Sequence, residues 1–177
     1  MHRLNVLLLD DDPSDLMLVQ GQLRRLPELE VTVHAFSDPA VALECVGSGL
    51  IDLVLTDRAL GATTGMDFFV EAQLEGYCGP VILLTDQGSE ELVVEAMHAG
   101  FADGLAKGNA NPESLKRSIG NAVDRFTLQR ELAANRERLH HTVIDLQSKA
   151  AEIEALYHTL SHELKTPLTA LLGFIET

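Results

Sequence analysis

The stretch LNVLLLDDDP, residues 4–13, decides how the first part of the chain folds. Its apolar run has too little polar alternation to leave one face in water, so it predicts a strand that is buried on both faces. Three aspartates, Asp10, Asp11 and Asp12, follow at once, and Pro13 is typical of the first turn of a helix. We predict that Asp12 caps this helix, whereas Asp10 and Asp11 lie together at the carboxyl end of the strand.

The alternation of a short apolar run with a helical stretch recurs along residues 1–125. Helix-start signals such as Asp38-Pro39 and Asn111-Pro112 lie between the runs. Five alternations of strand and helix favour a doubly wound α/β domain, in which helices cover both faces of a parallel sheet. The predicted strands are LNVLLL (4–9), VTVHAF (31–36), DLVLT (52–56), PVILLT (80–85) and ADGLA (102–106).

The charge of the chain is strongly negative and unevenly distributed. The 177 residues carry a formal net charge of −14. Residues 1–125 hold 20 Asp and Glu against 8 Lys and Arg, whereas residues 126–177 hold 7 against 5. Such a surface repels phosphate backbones and anionic lipids, which argues against nucleic-acid or membrane binding, and it attracts divalent cations. The early apolar run is far too short for a signal peptide or a membrane span, so we expect a cytoplasmic protein.

Polar side chains follow the predicted strands at the edge where doubly wound sheets bind ligands. Asp10 and Asp11 follow the first strand and Asp57 follows the third, while Thr85 and Lys107 come at the ends of the fourth and fifth. Carboxylates crowded at one point repel each other, and a hard divalent cation relieves that repulsion. A lysine and a hydroxyl at the same edge complete a site for phosphoryl oxygens, because phosphoryl transfer depends on positioning and charge neutralisation.

The motifs LLLDDDP, DLVLTD, VILLT and GLAKG, in this order and spacing, resemble the receiver domain of two-component response regulators over residues 1–125. The resemblance implies a flavodoxin-like sheet of five parallel strands in the order 2-1-3-4-5. It also implies that Asp57 is the nucleophile that takes a phosphoryl group from a phosphohistidine donor protein. By the same resemblance, Thr85 and Lys107 contact the phosphoryl group, and Mg²⁺ is held by Asp10, Asp11, Asp57 and the backbone carbonyl of Ala59.

Three residues depart from the pattern of the family that the motifs resemble. Gly104 stands where most receivers carry the aromatic residue that changes rotamer on activation, so that switch cannot operate here. Gly108 replaces the proline that commonly follows the lysine. Asp86 follows Thr85 where a small residue is usual, and its carboxylate is expected to slow phosphoryl transfer or to change metal binding.

A long helix is predicted after Pro112. Residues 113–166 contain no proline and a single glycine, which predicts about 54 helical residues, or about 80 Å of helix. A heptad pattern over residues 126–157 favours a signalling helix that forms a parallel coiled-coil homodimer, with Gln129 and Arg136 as polar seam residues that fix the register. The alternative is a lone helix packed on its own domain. The positions repeating every seven residues are Leu132, Leu139, Leu146, Ile153 and Leu160, with Val143, Ala150 and Tyr157 at the partner positions.

The segment LSHELKTPLTALLGF, residues 160–174, resembles the phosphoacceptor box of histidine kinases. The resemblance implies that His162 accepts phosphate, that Glu163 is its acid–base partner and that Thr166 serves phosphatase activity. A neutral imidazole is nucleophilic, and an adjacent carboxylate can take its proton. Residues 158–177 are therefore expected to begin a dimerisation and phosphoacceptor domain. The parent protein is expected to be a histidine kinase, and this piece is expected to lack the ATP-binding domain.

Two other functions are considered for the same residues. A haloacid-dehalogenase-like phosphatase also has an Asp-x-Asp pair after a strand, as in Asp10 and Asp12, but that hypothesis leaves Asp57 and the HELKTP motif unexplained. The other alternative is a receiver-like module that dimerises and docks without being phosphorylated, which Gly104 and Asp86 favour.

Overall fold

A computed structural model describes the backbone of residues 3–26, 29–86 and 90–175, and the side chains of these residues except 90–92 and 162–175. Strands and helices alternate along the first part of the chain, and a long helix follows. The strands are β1 (Arg3–Leu9), β2 (Glu30–Phe36), β3 (Leu53–Asp57), β4 (Ala59–Leu60), β5 (Thr63–Thr64), β6 (Val81–Thr85) and β7 (Asp103–Ala106). The helices are α1 (Pro13–Leu23), α2 (Pro39–Gly47), α3 (Gly65–Leu74), α4 (Glu90–His98) and α5 (Pro112–Ile175), with a short 3₁₀ helix at Lys107–Asn109.

Five of the strands form one parallel sheet in the order β2-β1-β3-β6-β7. With the two-residue strands β4 and β5 set aside, this is the order 2-1-3-4-5, so the predicted flavodoxin-like fold is confirmed. The inner strands are buried almost throughout, whereas the edge strands β2 and β7 are largely half-buried. The strands β4 and β5 form a separate antiparallel ribbon that the sequence pattern does not predict, because two residues carry no periodicity.

Alternate residues of β1 face two separate apolar layers. Leu7 and Leu9 pack in a layer with residues of α2, α3 and α4, whereas Val6 and Leu8 pack in a layer with residues of α1 and α5. Helices thus cover both faces of the sheet, and burial of each large apolar side chain stabilises the fold by about 1.5–3 kcal/mol. Because both faces of the inner strands are covered, their polar side chains can reach a ligand only at the strand ends. The candidate functional site lies at those ends.

Aspartates begin the first two helices. The side chain of Asp12 accepts a hydrogen bond from the backbone N–H of Ser14 at 2.7 Å, and that of Asp38 accepts one from Ala40 at 2.9 Å. A proline follows each aspartate at the first helical position, where its missing N–H does no harm. The prediction that Asp12 caps α1 is confirmed, so Asp12 has a structural role beside the two aspartates that precede it.

The chain divides into two compact units, Met1–Gln129 and Arg130–Thr177. Helix α5 begins in the first unit, where Leu115 and Ile119 are buried, and it continues through the second, so the predicted long helix is confirmed. The domain boundaries predicted at residues 125 and 157 stay predictions. Within the ranges that the structure describes, no helix has both the length and the apolar character that crossing a bilayer requires.

Candidate functional site

Three carboxylates meet at the carboxyl end of the sheet. Leu9 of β1 pairs with Thr56 of β3, so the next residues, Asp10 and Asp57, lie side by side at the ends of adjacent strands. Both are buried, whereas Asp11 is exposed. One carboxylate oxygen from each of these three aspartates lies within 4.8 Å of the other two. The fold therefore brings together the three aspartates that were predicted from the sequence to form a cation site.

The ammonium of Lys107 lies among the carboxylates. Burial alone lowers the pKa of this ammonium, but its close contacts with the nearby carboxylates outweigh burial and hold the pKa well above its ordinary value. Lys107 is therefore a fixed positive charge at any pH near neutrality. Its Nζ lies within 4 Å of four carboxylates, those of Asp15 (2.7 Å), Asp10 (2.8 Å), Asp57 (3.1 Å) and Asp86 (3.6 Å).

The hydroxyl of Thr85 is buried at the same edge. Leu84 of β6 pairs with Asp57 of β3, which puts Thr85 one residue beyond that pair. Its Oγ1 has no hydrogen-bond partner among the residues that the structure describes. A buried polar atom without a partner costs about 1–3 kcal/mol, so this hydroxyl is available to a group that enters the site.

The carboxylate oxygens of the aspartate cluster suit a hard divalent cation. Oδ2 of Asp10 and Oδ1 of Asp57 are buried and accept no well-directed hydrogen bond from the described residues, although Lys107 offsets part of their charge. Burial raises the pKa of Asp10 above its usual 3.8, and Lys107 counteracts this effect only in part. Carboxylate oxygens that repel one another and have free lone pairs are the ligands that Mg²⁺ prefers.

The backbone after Asp57 packs closely against the start of α3. The N–H of Gly65 donates to the carbonyl of Arg58 at 2.9 Å. A Cβ atom at Gly65 would lie 2.2 Å from the backbone oxygen of Asp57, closer than any side chain can come, so this position requires glycine. The N–H of Ala59 donates to Oδ2 of Asp57 at 3.3 Å, and the role of the Ala59 carbonyl as a metal ligand stays a prediction.

Gly104 of β7 packs against Val93 of α4. A Cβ atom at Gly104 would lie 2.9 Å from Cγ2 of Val93, so the valine already fills the space beside the glycine. Any side chain at this position would require Val93 to shift. The expectation that no aromatic switch operates at residue 104 stays a prediction.

Asp15 is a contact of Lys107 that the sequence did not predict. It lies in the first turn of α1, and its Oδ2 accepts a hydrogen bond from Nζ of Lys107 at 2.7 Å. Acidic residues are common in the first turn because they stabilise the positive end of the helix dipole. Only its position shortly after the aspartate run hints at a link to the site, and the lysine is 92 residues away in the chain.

His162, Glu163 and Thr166, the residues of the predicted phosphoacceptor box, have side chains outside the described residues. The backbone of α5 is helical at these positions. Their assigned roles therefore stay predictions.

A doubly wound sheet that holds an aspartate cluster and a lysine at its carboxyl edge is the arrangement expected of a receiver domain. The sequence profile of the response regulator receiver domain matches residues 6–119. This chain belongs to that family, as the sequence motifs predicted. Residues 126–177 lie outside the matched region.

Individual relatives agree with the family. The chain is similar to the regulatory protein LuxO of Vibrio cholerae, with 25% identity over 135 residues that make up 76% of this chain and 29% of LuxO. It is also similar to the cyclic di-GMP phosphodiesterase response regulator RpfG of Xanthomonas campestris, with 31% identity over 123 residues, 68% of this chain and 32% of RpfG. The chain thus spans about a third of the length of these curated relatives.

A solved structure supports the same fold. A response regulator receiver domain protein from Clostridium thermocellum superposes with a TM-score of 0.62 and 26% sequence identity. The superposition covers 71% of this chain and 98% of that protein.

We expect Asp10→Asn to raise the stability of the metal-free protein at pH 7. Because burial raises the folded-state pKa of Asp10, protonation favours the fold below the unfolded-state value near 3.8, and this contribution is lost as the pH rises through the folded pKa. An amide of the same size removes the buried charge, and Lys107 keeps Asp15 and Asp57 as partners. Urea unfolding in EDTA should give a higher midpoint for the variant at pH 7, and the difference should shrink as the pH falls.

The exposed neighbour gives the control for this prediction. Asp11→Asn removes the same charge from an exposed side chain and should shift the metal-free midpoint less than Asp10→Asn does. A lower midpoint for Asp10→Asn at pH 7, or a gain that does not change with pH, would contradict the prediction.

Proposed function

We propose that this chain is a phosphorelay receiver in which Asp57 accepts a phosphoryl group from a phosphohistidine donor protein. The observation that carries the proposal is the 3.1 Å contact between Nζ of Lys107 and Oδ1 of the buried Asp57, at the sheet edge where the Thr85 hydroxyl has no partner among the described residues. A fixed cation and an available hydroxyl near a carboxylate nucleophile are the groups that the oxygens of a transferred phosphoryl group need.

In the proposed step, a carboxylate oxygen of Asp57 attacks the phosphorus of the phosphohistidine. An O–P bond forms and the P–N bond breaks, and the electron pair of the P–N bond stays on the imidazole nitrogen, which a proton from solvent then neutralises. Lys107 and Thr85 are assigned to contact the oxygens of the transferred group. Asp57 then carries an acyl phosphate, a mixed anhydride that water can hydrolyse.

Asp10, Asp11 and Asp57 are the residues proposed to hold Mg²⁺, with the carbonyl of Ala59 as a further ligand. When bound, the cation supplies charge neutralisation for the phosphoryl oxygens. The chain itself sets where the ligands lie, because the pairing of β1 with β3 aligns Asp10 with Asp57. The close approach of Gly65 to the Asp57 carbonyl holds the backbone of the nucleophile in place.

Incubation of the purified protein with acetyl phosphate, with and without Mg²⁺, tests the proposal by intact mass. We expect the mass of one phosphoryl group to be added only when Mg²⁺ is present. The label should be lost in alkali, because an acyl phosphate is labile to base whereas phosphohistidine resists it. An alkali-resistant label would contradict the assignment to an aspartate, and the absence of any label would favour the dimerising docking module instead.

We further propose that α5 pairs with the same helix of a second copy of this chain. The residues that repeat every seven positions are each more than half exposed in the single chain. Five successive heptads of apolar side chains form a stripe along the helix, and burying it between two helices contributes about 25 cal/mol per Å² of apolar surface. The stripe consists of Leu132, Leu139, Leu146, Ile153 and Leu160.

One pair of opposite charges beside the stripe is compatible with a parallel arrangement. With the five stripe residues at heptad position d, Lys149 falls at position g and Glu154 at position e. In a parallel, in-register pair, residue g of one helix meets the next residue e of the other, so these opposite charges attract across the interface. Gln129 and Arg136 fall at position a, where polar residues lower stability but fix the register.

We expect Leu139→Asp combined with Leu146→Asp to convert the dimer to a monomer, because four carboxylates would be placed in the apolar seam of the dimer. Ala134→Asp with Ala155→Asp is the matched control, since both positions fall at f, opposite the seam, and should leave the dimer intact. Replacing both Gln129 and Arg136 by Leu should lower the dissociation constant of the dimer. Sedimentation equilibrium of the full chain measures the mass, and a monomeric wild-type protein would overturn the proposal.

We also propose that residues 158–177 begin a histidine-kinase phosphoacceptor segment, with His162 as acceptor, Glu163 as acid–base partner and Thr166 in the phosphatase role. This proposal rests on the sequence of the segment. In the heptad register of α5, residue 162 falls at position f, which lies farthest from the seam and which helix pairing leaves uncovered. A rotation or register shift of the paired helices is the proposed route from Asp57 to this segment.

A further inference from the structure

Lys107 donates a hydrogen bond to Asp15, a residue that the sequence did not predict to contact it. Of its three shortest carboxylate contacts, the one to Asp15 at 2.7 Å has good hydrogen-bond geometry. The facing oxygens of Asp10 and Asp57 lie at 2.8 and 3.1 Å but accept no well-directed hydrogen bond. Asp15 of α1 is therefore the shortest carboxylate contact of the ammonium, which also lies against the two buried aspartates.

Asp15 also differs from the other two carboxylates in its surroundings. Its side chain is 32% exposed, against 1% for Asp10 and 6% for Asp57. It is not part of the three-aspartate cluster whose oxygens converge within 4.8 Å. A cation bound by that cluster would neutralise Asp10 and Asp57 but not Asp15, so Asp15 would keep its charge and its hold on Lys107.

We propose that Asp15 is a positioning residue that competes with a phosphoryl group on Asp57 for the ammonium of Lys107, and thereby weakens the binding of phosphoryl anions at this site. The inference rests on the proposed function, because it concerns the same receiving aspartate.

Asp15 has two opposite effects on the binding of a phosphoryl group at this site. Its hydrogen bond orients Lys107, which favours phosphoryl binding, but its negative charge repels a phosphoryl dianion and occupies one donor of the ammonium. Without Asp15, the ammonium still has Asp10 and Asp57 as neighbours, which lie at 2.8 and 3.1 Å from it in the wild-type chain, and a phosphoryl group on Asp57 would itself attract it, so little orientation is lost. The loss of the Asp15 charge is therefore expected to outweigh the loss of orientation of Lys107. It should raise the affinity of the site for phosphoryl anions by on the order of tenfold.

Titration with beryllium trifluoride, a phosphoryl mimic, tests the proposal in saturating Mg²⁺. We expect Asp15→Asn to bind the anion about tenfold more tightly than wild type, and Asp15→Glu to restore affinity close to wild type. Asp86→Asn is the matched control, because it removes the same charge from a carboxylate that lies 3.6 Å from Lys107 and is 75% exposed. The gain in anion affinity of Asp86→Asn should be clearly smaller than that of Asp15→Asn.

A second measurement needs neither metal nor anion. The ammonium signal of Lys107 in ¹⁵N-edited NMR, identified by its loss in Lys107→Arg, should shift in metal-free Asp15→Asn and much less in Asp86→Asn. An unchanged signal in Asp15→Asn, or equal affinity gains in the two variants, would overturn the role of Asp15 while leaving the proposed function standing. If wild type binds no beryllium trifluoride, the proposed function fails and this inference fails with it.

Discussion

We expect Asp57→Asn to accept no phosphoryl group from acetyl phosphate under conditions in which the wild-type protein is fully labelled. An amide oxygen is a poor nucleophile, and the variant also loses one of the three carboxylates of the cation cluster. We expect neither Asp10 nor Asp11 to be labelled instead, because Asp57 is the aspartate of the cluster that lies against both Lys107 and the start of α3. Intact mass after acid and alkali treatment measures the label.

Asp52 supplies the control for this experiment. It directly precedes β3, so it stands at the opposite end of the strand from Asp57, and it is an exposed side chain that accepts a hydrogen bond from the backbone of Asn5 at 2.8 Å. Asp52→Asn removes the same charge and should be labelled like wild type. Undiminished labelling of Asp57→Asn would show that another residue is the acceptor.

Gly65→Ala is expected to destabilise the protein by about 3 kcal/mol, a large effect for one added methyl group. The new Cβ would lie 2.2 Å from the Asp57 backbone oxygen and 3.1 Å from the Thr56 side chain, so the backbone of β3 or α3 has to move. That movement displaces the nucleophile, and we expect the rate of labelling to fall as well. Urea unfolding of the metal-free protein measures the loss of stability.

Gly21→Ala is the matched variant with the opposite expectation. Gly21 lies inside α1, and a Cβ atom there would meet nothing within 4 Å. Alanine in a helix interior is favoured over glycine by about 0.5–1 kcal/mol, so this variant should be slightly more stable than wild type. Equal stability of Gly65→Ala and wild type would mean that the approach of α3 to Asp57 is not as close as the structure shows.

The sequence by itself determined the fold class. Apolar runs such as residues 4–9 and 80–85 have too little polar alternation to leave one face in water, and burial on both faces of a parallel sheet is the physical consequence of that composition. Asp12 and Asp38, each followed by proline, fixed the starts of α1 and α2, because capping depends only on residues a few positions apart. Residues 113–166 contain no proline and a single glycine, which predicted the long helix, and the observed helix continues past Pro167 to Ile175.

The position of several site residues at one edge of the sheet was also predicted from the sequence. Asp10, Asp57 and Lys107 all follow strands, and parallel strands end at the same edge, so their proximity follows from topology alone. Which oxygen each group contacts does not follow from topology. That depends on the register between strands, such as the pairing of Leu9 with Thr56, which local periodicity does not encode.

Only the tertiary structure decided the details that control the chemistry. The hydrogen bond of Lys107 to Asp15 joins residues 92 positions apart, and nothing in the local sequence of α1 distinguishes Asp15 from an ordinary first-turn acid. The need for glycine at residue 65 comes from the carbonyl of Asp57 on another element. Periodicity and capping record the environment of one segment at a time, whereas such contacts arise from the packing of several segments at distances of a few ångströms.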